Sequence, residues 1–180
     1  MLGGVAPVLA PDVRRTMIAA LVPDAEPLVG DLRARLDPTA RRGLGAHLTL
    51  VHPFVEPAAV DDAAVVALQD AVAPVEAFTC TFGAVRWFER RVLWLAPEPV
   101  APFHEIAERV RRAVPAVPPA DRELVPHLTV GLRRAASARA LESAADALAP
   151  ALPLVTEIDR VHLLARGERW DAVAEAPLTG

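Results

Sequence analysis

Apolar and polar residues alternate along several short runs of the chain. Alternation with period two predicts strands, because successive side chains of a strand point to opposite faces of a sheet. The clearest case is 77–89, where Phe78, Cys80 and Phe82 fall on one face. Similar runs, often ended by proline or glycine, predict strands at 14–23, 46–54, 91–99, 126–134, 153–167 and 169–178.

Four other runs repeat their apolar residues every three or four positions, which predicts amphipathic helices. The first is 24–36, with Leu28, Leu32 and Leu36 on one stripe. The other three are 61–75, 101–115 and 137–152. The run at 61–75 opens with two aspartates, which favour a helix N-terminus, and Ser137 is a plausible N-cap for the last helix.

The order of these elements occurs twice. A strand, a helix, a loop, a strand and a helix in the first half are followed by the same order in the second half, about 80 residues later. We therefore predict an α+β fold in a single domain over 1–180. It consists of two duplicated lobes, about 14–90 and 91–178, with possible strand exchange. Antiparallel sheets surround a cleft on a pseudo-twofold axis.

Composition narrows the class of protein. With 53% hydrophobic residues in 180, the chain can bury a core, and its net charge of −4 argues against non-specific binding to long duplex DNA. All 19 basic residues are arginines, which excludes mechanisms that need a lysine. Cys80 is the only cysteine, so no disulfide forms within the chain, and we expect it to be a small buried residue. The N-terminal 15 residues make a poor signal peptide, so we expect a soluble, cytoplasmic monomer without a membrane anchor.

One four-residue pattern stands out because it is repeated. The run "AHLTLVHPF" (46–54) and the run "PHLTVGL" (126–132) both contain His-Leu-Thr followed by an aliphatic residue. Residues two apart on a strand share a face, so His47 projects with Thr49, and His127 with Thr129. Two imidazoles can serve as a general base and a general acid near neutral pH, while two hydroxyls hydrogen bond phosphate oxygens. This set suits attack at a phosphodiester.

Each histidine of the two motifs also has a less specific explanation. A single histidine in a strand is usually structural, but two in matching positions of a duplication favour a shared site. A zinc site is the main rival, yet no third ligand with suitable spacing accompanies the pair. His52 lies five residues after His47, so strand parity places it on the opposite face.

The two motifs in a duplicated α+β chain resemble the two-histidine (2H) phosphoesterase superfamily, whose bacterial members are often labelled 2'-5' RNA ligase-like. The resemblance extends over about 14–178. It implies a bilobal fold and metal-independent hydrolysis of 2',3'-cyclic phosphates of nucleotides or RNA ends, without a cofactor. It also implies that His47 and His127 are catalytic and that Thr49 and Thr129 bind phosphate. A nucleotide-binding module with little turnover and a 2'-5' RNA ligase are the alternatives.

Two features depart from the pattern of that superfamily. His52 stands where an aromatic residue usually precedes Pro-Phe. The arginine expected five residues after the second histidine is replaced by Leu132, and Arg133 comes next. Even spacing from His127 puts Arg133 on the same strand face, so we predict that it binds phosphate, against the alternative of a solvated rim residue.

The aromatic residues supply candidates for stacking a base of a small nucleotide or RNA 3' end. We predict Trp87 and Phe54 for this role, since a base stacked on an aromatic ring gains about 1–3 kcal/mol. Phe88 and Trp94 are better explained as core residues.

Overall fold

The computed structural model describes residues 9–180, which form one antiparallel sheet with helices on one face. The strands are β1 (Arg15–Leu21), β2 (His47–Val51), β3 (Phe78–Phe88), β4 (Val92–Glu98), β5 (Leu128–Leu132), β6 (Leu154–Ile158), β7 (Arg160–Arg166) and β8 (Trp170–Pro177). Their order in the sheet is β6-β3-β4-β5-β2-β1-β7-β8. The predicted α+β class with antiparallel pairing is therefore confirmed.

Four α-helices cover one face of the sheet: α1 (Glu26–Leu36), α2 (Asp62–Val72), α3 (Ala101–Ala113) and α4 (Ala138–Leu148). The first helix packs on β5 and the third on β2, so each crosses to the motif strand of the other repeat. Asp61 caps α2 by accepting from the Ala64 N–H at 2.8 Å, and Ser137 caps α4 by accepting from the Ala140 N–H at 3.1 Å. Both helix starts agree with the sequence pattern.

The duplication predicted from the sequence is visible in the connectivity. The series β1-α1-β2-α2 corresponds to β4-α3-β5-α4, and the two motif strands β2 and β5 are neighbours at the centre of the sheet. The expected boundary near residue 90 does not match the strand order, however. One half of the sheet contains β2, β1, β7 and β8, and the other contains β5, β4, β3 and β6. Each half of the sheet therefore contains strands from both sides of residue 90.

The run 153–167, predicted as one strand, is divided at Asp159 into two strands with different partners. The strand β6 pairs with β3 and β7 pairs with β1, so the chain passes directly from one edge of the sheet towards the other. At the same end, Glu76 and Thr179 form a bridge between the start of β3 and the end of β8. The sheet is therefore curled, and its two edges approach each other there.

Two hydrophobic clusters occupy the two faces of the sheet. The main core lies between the sheet and the helices and includes the buried Leu48 and Leu128. A second, smaller cluster lies on the other face and consists of Met17, Ala19, Leu44, Leu164 and Trp170. We call this second face the cleft face, because the motif side chains project from it.

Cys80 is buried in the main core, as expected, and burial raises the pKa of its thiol to about 11. Within residues 9–180 no helix has the length and hydrophobicity needed to cross a membrane. The first eight residues of the N-terminal stretch judged a poor signal peptide lie outside the described part of the chain.

Candidate active site

The two motif strands bring four predicted site residues together on the cleft face. Leu48 of β2 pairs with Leu128 of β5, and both leucines point into the main core. Because the strands are antiparallel, this register places His47 beside Thr129 and His127 beside Thr49. Directly opposed residues have Cβ atoms about 4.5–5.5 Å apart, so the two imidazoles and two hydroxyls form one compact group.

Each histidine ring is held by a main-chain carbonyl two residues earlier. The Nδ1 atom of His47 lies 2.8 Å from the Gly45 oxygen, and that of His127 lies 2.7 Å from the Val125 oxygen. A carbonyl only accepts hydrogen bonds, so Nδ1 carries the proton in each neutral ring. The lone pair is then on Nε2, which has no hydrogen-bond partner among the described residues. Both rings are thus oriented for proton transfer through Nε2.

The pKa values of both histidines are below their ordinary value, by different amounts. Burial, with a smaller effect from the positive charge of Arg33, lowers the pKa of His47 to about 4. Burial also lowers the pKa of His127, and Arg122 in the preceding loop adds to this effect. The two chemically identical groups therefore have unequal environments, which is the condition for unequal roles in acid–base catalysis.

A buried ion pair lies behind the motif strands. Arg33 and Asp37 of the first helix are each about 1% exposed and are joined by a hydrogen bond of 3.0 Å. The Nε–H of Arg33 donates to the Thr129 carbonyl at 3.1 Å, and Glu26 accepts from the Ala46 N–H at 2.5 Å. The predicted stripe of Leu28, Leu32 and Leu36 does pack with the main core, but the buried face of this helix also includes Arg33, which the stripe did not predict. The spacing of Arg33 and Asp37, four residues apart, was the available signal.

Each motif strand contains a β-bulge three residues after its histidine. Ile18 pairs with Val51 and Ala19 with Thr49, so Leu50 is an extra residue in β2. Leu93 pairs with Gly131 and Trp94 with Thr129, so Val130 is the extra residue in β5. A bulge shifts the alternation of side chains by one residue. Both repeats therefore contain a bulge at the same position of the motif strand. A strict two-residue alternation of side chains does not predict it.

The bulge in β5 overturns the prediction for Arg133. Leu132 pairs with Val92, which pairs with Phe88 on the cleft face, so Arg133 falls on the helix face. Its side chain donates to the Ala136 carbonyl at 2.7 Å, in the turn before the last helix. Arg133 is therefore an exposed residue outside the cleft, and its phosphate-binding role does not fit the structure.

The bulge in β2 similarly changes the side of His52. Leu50 and Val51 both pack in the main core, so the next residue returns to the cleft face. Burial and the charges of Arg15 and Arg166 lower the pKa of His52. This agrees with a position on the cleft face near Arg15, the first residue of β1. Parity alone had placed His52 on the opposite face.

The aromatic residues of the cleft are not the predicted ones. Phe54 is fully buried in the main core, and Trp87 lies on the helix side, where it lines a shallow depression with Arg90 and Glu142. Neither can stack a base in the cleft. The rings of Phe88 and Trp94 are stacked with centroids 4.6 Å apart, and their centroids lie 5.0 and 5.9 Å from that of His127.

Phe88 and Trp94, which we call the aromatic wall, were assigned to the core from the sequence. Their spacing across the β3–β4 hairpin was the signal for a shared face, because Phe88 pairs with Val92, two residues from Trp94. The indole nitrogen of Trp94 is buried and has no hydrogen-bond partner among the described residues. The wall thus offers flat apolar surface and one unused N–H donor beside His127.

Within residues 9–180 no three His, Cys, Asp or Glu side chains are placed to hold a metal ion. The hydroxyl of Thr129 has no hydrogen-bond partner in the same part of the chain, and that of Thr49 has only a 3.9 Å contact with the sulfur of Met17. Both hydroxyls are therefore available as donors to a ligand between the histidines.

Comparison with known protein families supports the resemblance to the 2H phosphoesterase superfamily. The model of the 2'-5' RNA ligase superfamily matches residues 21–170, which include both motifs. The chain belongs to this superfamily. The match confirms the expected relationship to the 2H phosphoesterases and supports a phosphoesterase-type function. Comparison with curated protein sequences finds no match.

Solved structures show the fold of the 2'-5' RNA ligase superfamily over nearly the whole chain. The protein TT0787 of Thermus thermophilus aligns with a TM-score of 0.65 and 19% identity, over 92% of this chain and 98% of that one. E. coli LigT complexed with 3'-AMP aligns with a TM-score of 0.60 and 20% identity, over 93% and 99%. LigT complexed with NADP+ aligns equally well, with 21% identity over the same shares.

Proposed function

We propose that the protein hydrolyses 2',3'-cyclic phosphates of nucleotides or RNA ends, with His47 and His127 as general base and general acid. The observation that carries this proposal is the shared anchoring of the two rings. Both Nδ1 atoms face carbonyl oxygens, so both Nε2 atoms remain free on one face for proton transfer. A phosphate between them would contact the hydroxyls of Thr49 and Thr129.

The proposed reaction is an in-line displacement at phosphorus. The base takes a proton from a water molecule, whose oxygen forms a bond to phosphorus. The bond between phosphorus and one ribose oxygen breaks, and the acid gives its proton to that oxygen. The threonine hydroxyls donate hydrogen bonds to the other phosphate oxygens, where negative charge must be stabilised. This scheme needs no metal ion.

The unequal histidine environments support an assignment of roles. Burial and the charge of Arg33 lower the pKa of His47 to about 4, so this ring is unprotonated near neutral pH, which is the state that a general base needs. The cation that lowers the pKa of His127 is the exposed Arg122, and the negative charge of a bound phosphate favours the protonated form of this ring. We therefore propose His47 as the base and His127 as the acid.

The aromatic wall supports a nucleotide as the group that carries the phosphate. Phe88 and Trp94 present stacked rings at the edge of the site, where a base attached to the phosphate can pack. LigT, which shares the fold, has been crystallised with 3'-AMP, NADP+ and ATP. The name of the superfamily points to RNA ligation, in which a hydroxyl of a second RNA end attacks the phosphorus in place of water, as a second candidate.

The test is hydrolysis of 2',3'-cyclic nucleotides in EDTA by the wild type and the variants His47→Gln and His127→Gln. We expect turnover by the wild type and losses of about 10²–10⁴-fold in each variant. Dependence on added metal would contradict the mechanism. Tight nucleotide binding without turnover would support a binding module. Joining of RNA ends that outpaces hydrolysis would support the ligase.

A further inference from the structure

Three arginines and a histidine lie close together at one end of the cleft face, away from the catalytic pair. Arg15 of β1 pairs directly with Arg166 of β7, so their side chains leave the sheet on the same face. That face is the cleft face, because Met17, two residues after Arg15, contacts the Thr49 hydroxyl. Arg42 lies in the turn between the first helix and β2, and His52 follows β2.

The depression that Arg15 and His52 line together, and the effects of these groups on one another's pKa values, agree with this proximity. Partial burial and the charges of Arg42 and Arg15 lower the pKa of Arg166. Burial and the charges of Arg15 and Arg166 do the same to the pKa of His52. We call Arg15, Arg42, His52 and Arg166 the arginine cluster.

The arginines of the cluster have no directly paired counter-charge within residues 9–180. Among residues 9–180, no carboxylate forms an ion pair with its three arginines, and their side chains make no hydrogen bond. Arg160 at the other end of β7 differs, since it bonds both Asp159 and Glu175. A depression of about 370 Å³ beside Arg15 and His52 has Glu56 as the only acidic residue among those lining it.

Such an arrangement is unfavourable without a ligand. Like charges directly opposite each other on neighbouring strands destabilise a sheet. Arg15 is exposed, so the packing of the core does not require an arginine there. An anion that bridges the two guanidinium groups would remove the repulsion, and arginine binds phosphate oxygens in a bidentate manner.

The position of the cluster indicates which phosphate it would contact. Arg15 lies four residues along β1 from Ala19, the partner of Thr49, which is about 13 Å at 3.3 Å per residue. A phosphate held between the histidines therefore reacts well away from Arg15. A second phosphate of the same RNA strand can lie beside Arg15.

We propose that the arginine cluster is a second phosphate-binding site, which takes an internal phosphodiester of an oligoribonucleotide whose 3' end lies between His47 and His127. This inference rests on the proposed hydrolysis and narrows its substrate to RNA ends. A cyclic mononucleotide has no second phosphate and leaves the cluster empty.

The kinetic test compares a tetraribonucleotide ending in a 2',3'-cyclic phosphate with the corresponding cyclic mononucleotide. We expect the wild type to show kcat/KM at least about tenfold higher for the tetranucleotide, the effect of one charge-assisted contact. The double variant Arg15→Ala/Arg166→Ala should give equal values for both substrates. The matched control is Arg112→Ala/Arg139→Ala, which removes the same charge from exposed positions on α3 and α4 that form no ion pair within residues 9–180. It should keep the preference.

A binding measurement tests the site without turnover. Fluorescence anisotropy with a labelled tetraribonucleotide 3'-phosphate, repeated over a range of salt concentrations, reports the number of phosphates that the protein neutralises. The slope of log affinity against log salt should fall by about 0.7 for each phosphate that the double variant no longer neutralises.

These measurements separate the two proposals. A lower slope together with no turnover would support the second site and contradict the hydrolase. Equal slopes in wild type and double variant, or equal affinity for tetranucleotide and mononucleotide, would overturn the second site. If the double variant loses affinity for ATP but not for the tetranucleotide, the cluster binds a polyphosphate and the RNA proposal is wrong.

Discussion

The Nε–H of Arg33 donates to the main-chain carbonyl of Thr129 over 3.1 Å, which links the first repeat to the motif strand of the second. Glu26, two turns earlier on the same helix, accepts from the N–H of Ala46, directly before His47. One helix is thus bonded to both motif strands. The side chains of Arg33 and Glu26 hold the two histidine-bearing segments in a fixed relation.

We predict that Arg33→Met destabilises the protein by about 3–5 kcal/mol, because Asp37 is then left as an unpaired buried charge. The matched control is Arg109→Ala, which removes an exposed pair with Glu105 at the same four-residue spacing. That change should cost about 0.3–0.5 kcal/mol. Urea unfolding of both variants measures the difference.

The double variant Arg33→Met/Asp37→Leu tests whether the unpaired charge of Asp37 causes the loss of stability. It removes both charges, so much of the stability missing in Arg33→Met should return. If the double variant is no more stable than Arg33→Met, the buried pair is not the cause of the loss.

A second prediction concerns the aromatic wall. Replacing Trp94 by leucine should weaken the binding of nucleotides by about 1–3 kcal/mol, the range for one stacked base. Trp87→Leu is the control, since Trp87 lies on the helix face of the same strand pair. Titration calorimetry with a 3'-nucleotide gives both values. Equal losses in the two variants would show that stacking at Trp94 is not responsible.

The sequence was informative about the site wherever the backbone is regular. The distance from His47 to Thr49 spans two residues of an unbroken strand, so period two places them correctly. The same holds for His127 and Thr129. The duplication then predicted that the two pairs meet, which the register between Leu48 and Leu128 shows.

Prediction failed where a local irregularity or a distant partner decides the outcome. The bulge at Val130 moved Arg133 to the helix face, and strand parity did not use the one signal for it in 126–134, the glycine Gly131 inside the strand. Phe54 is apolar and follows a motif strand, so only its packing shows that it is buried. The position of β7 in the sheet depends on its pairing with β1 across more than 100 residues, which local periodicity does not encode.

A third prediction uses the glycine in the β5 bulge. A Cβ atom at Gly131 would lie 2.8 Å from Cβ of Leu36 and 2.6 Å from a methyl group of Leu141. Gly131→Ala should therefore destabilise the protein by about 1–3 kcal/mol, the usual cost of overpacking. Gly83→Ala is the control, because a Cβ at Gly83 meets no atom within 4 Å. Thermal unfolding compares them, and equal melting temperatures would contradict the close approach.

The last prediction concerns the pH dependence of stability that His47 causes. Burial lowers the pKa of His47 to about 4 in the folded protein, whereas an unfolded chain has a value near 6.5. Between these values the unfolded state binds more protons, so stability rises with pH. The contribution of His47 is complete above pH 6.5 and is lost as the pH falls towards 4, by on the order of 1–3 kcal/mol.

The difference in unfolding free energy between wild type and His47→Gln isolates this contribution from those of the other histidines. It should shift in favour of His47→Gln as the pH falls from 6.5 to 4. Urea unfolding of both proteins at several pH values measures this difference. Parallel curves for wild type and His47→Gln would mean that the His47 ring accepts a proton equally well in both states, which would also remove the basis for assigning it as the base.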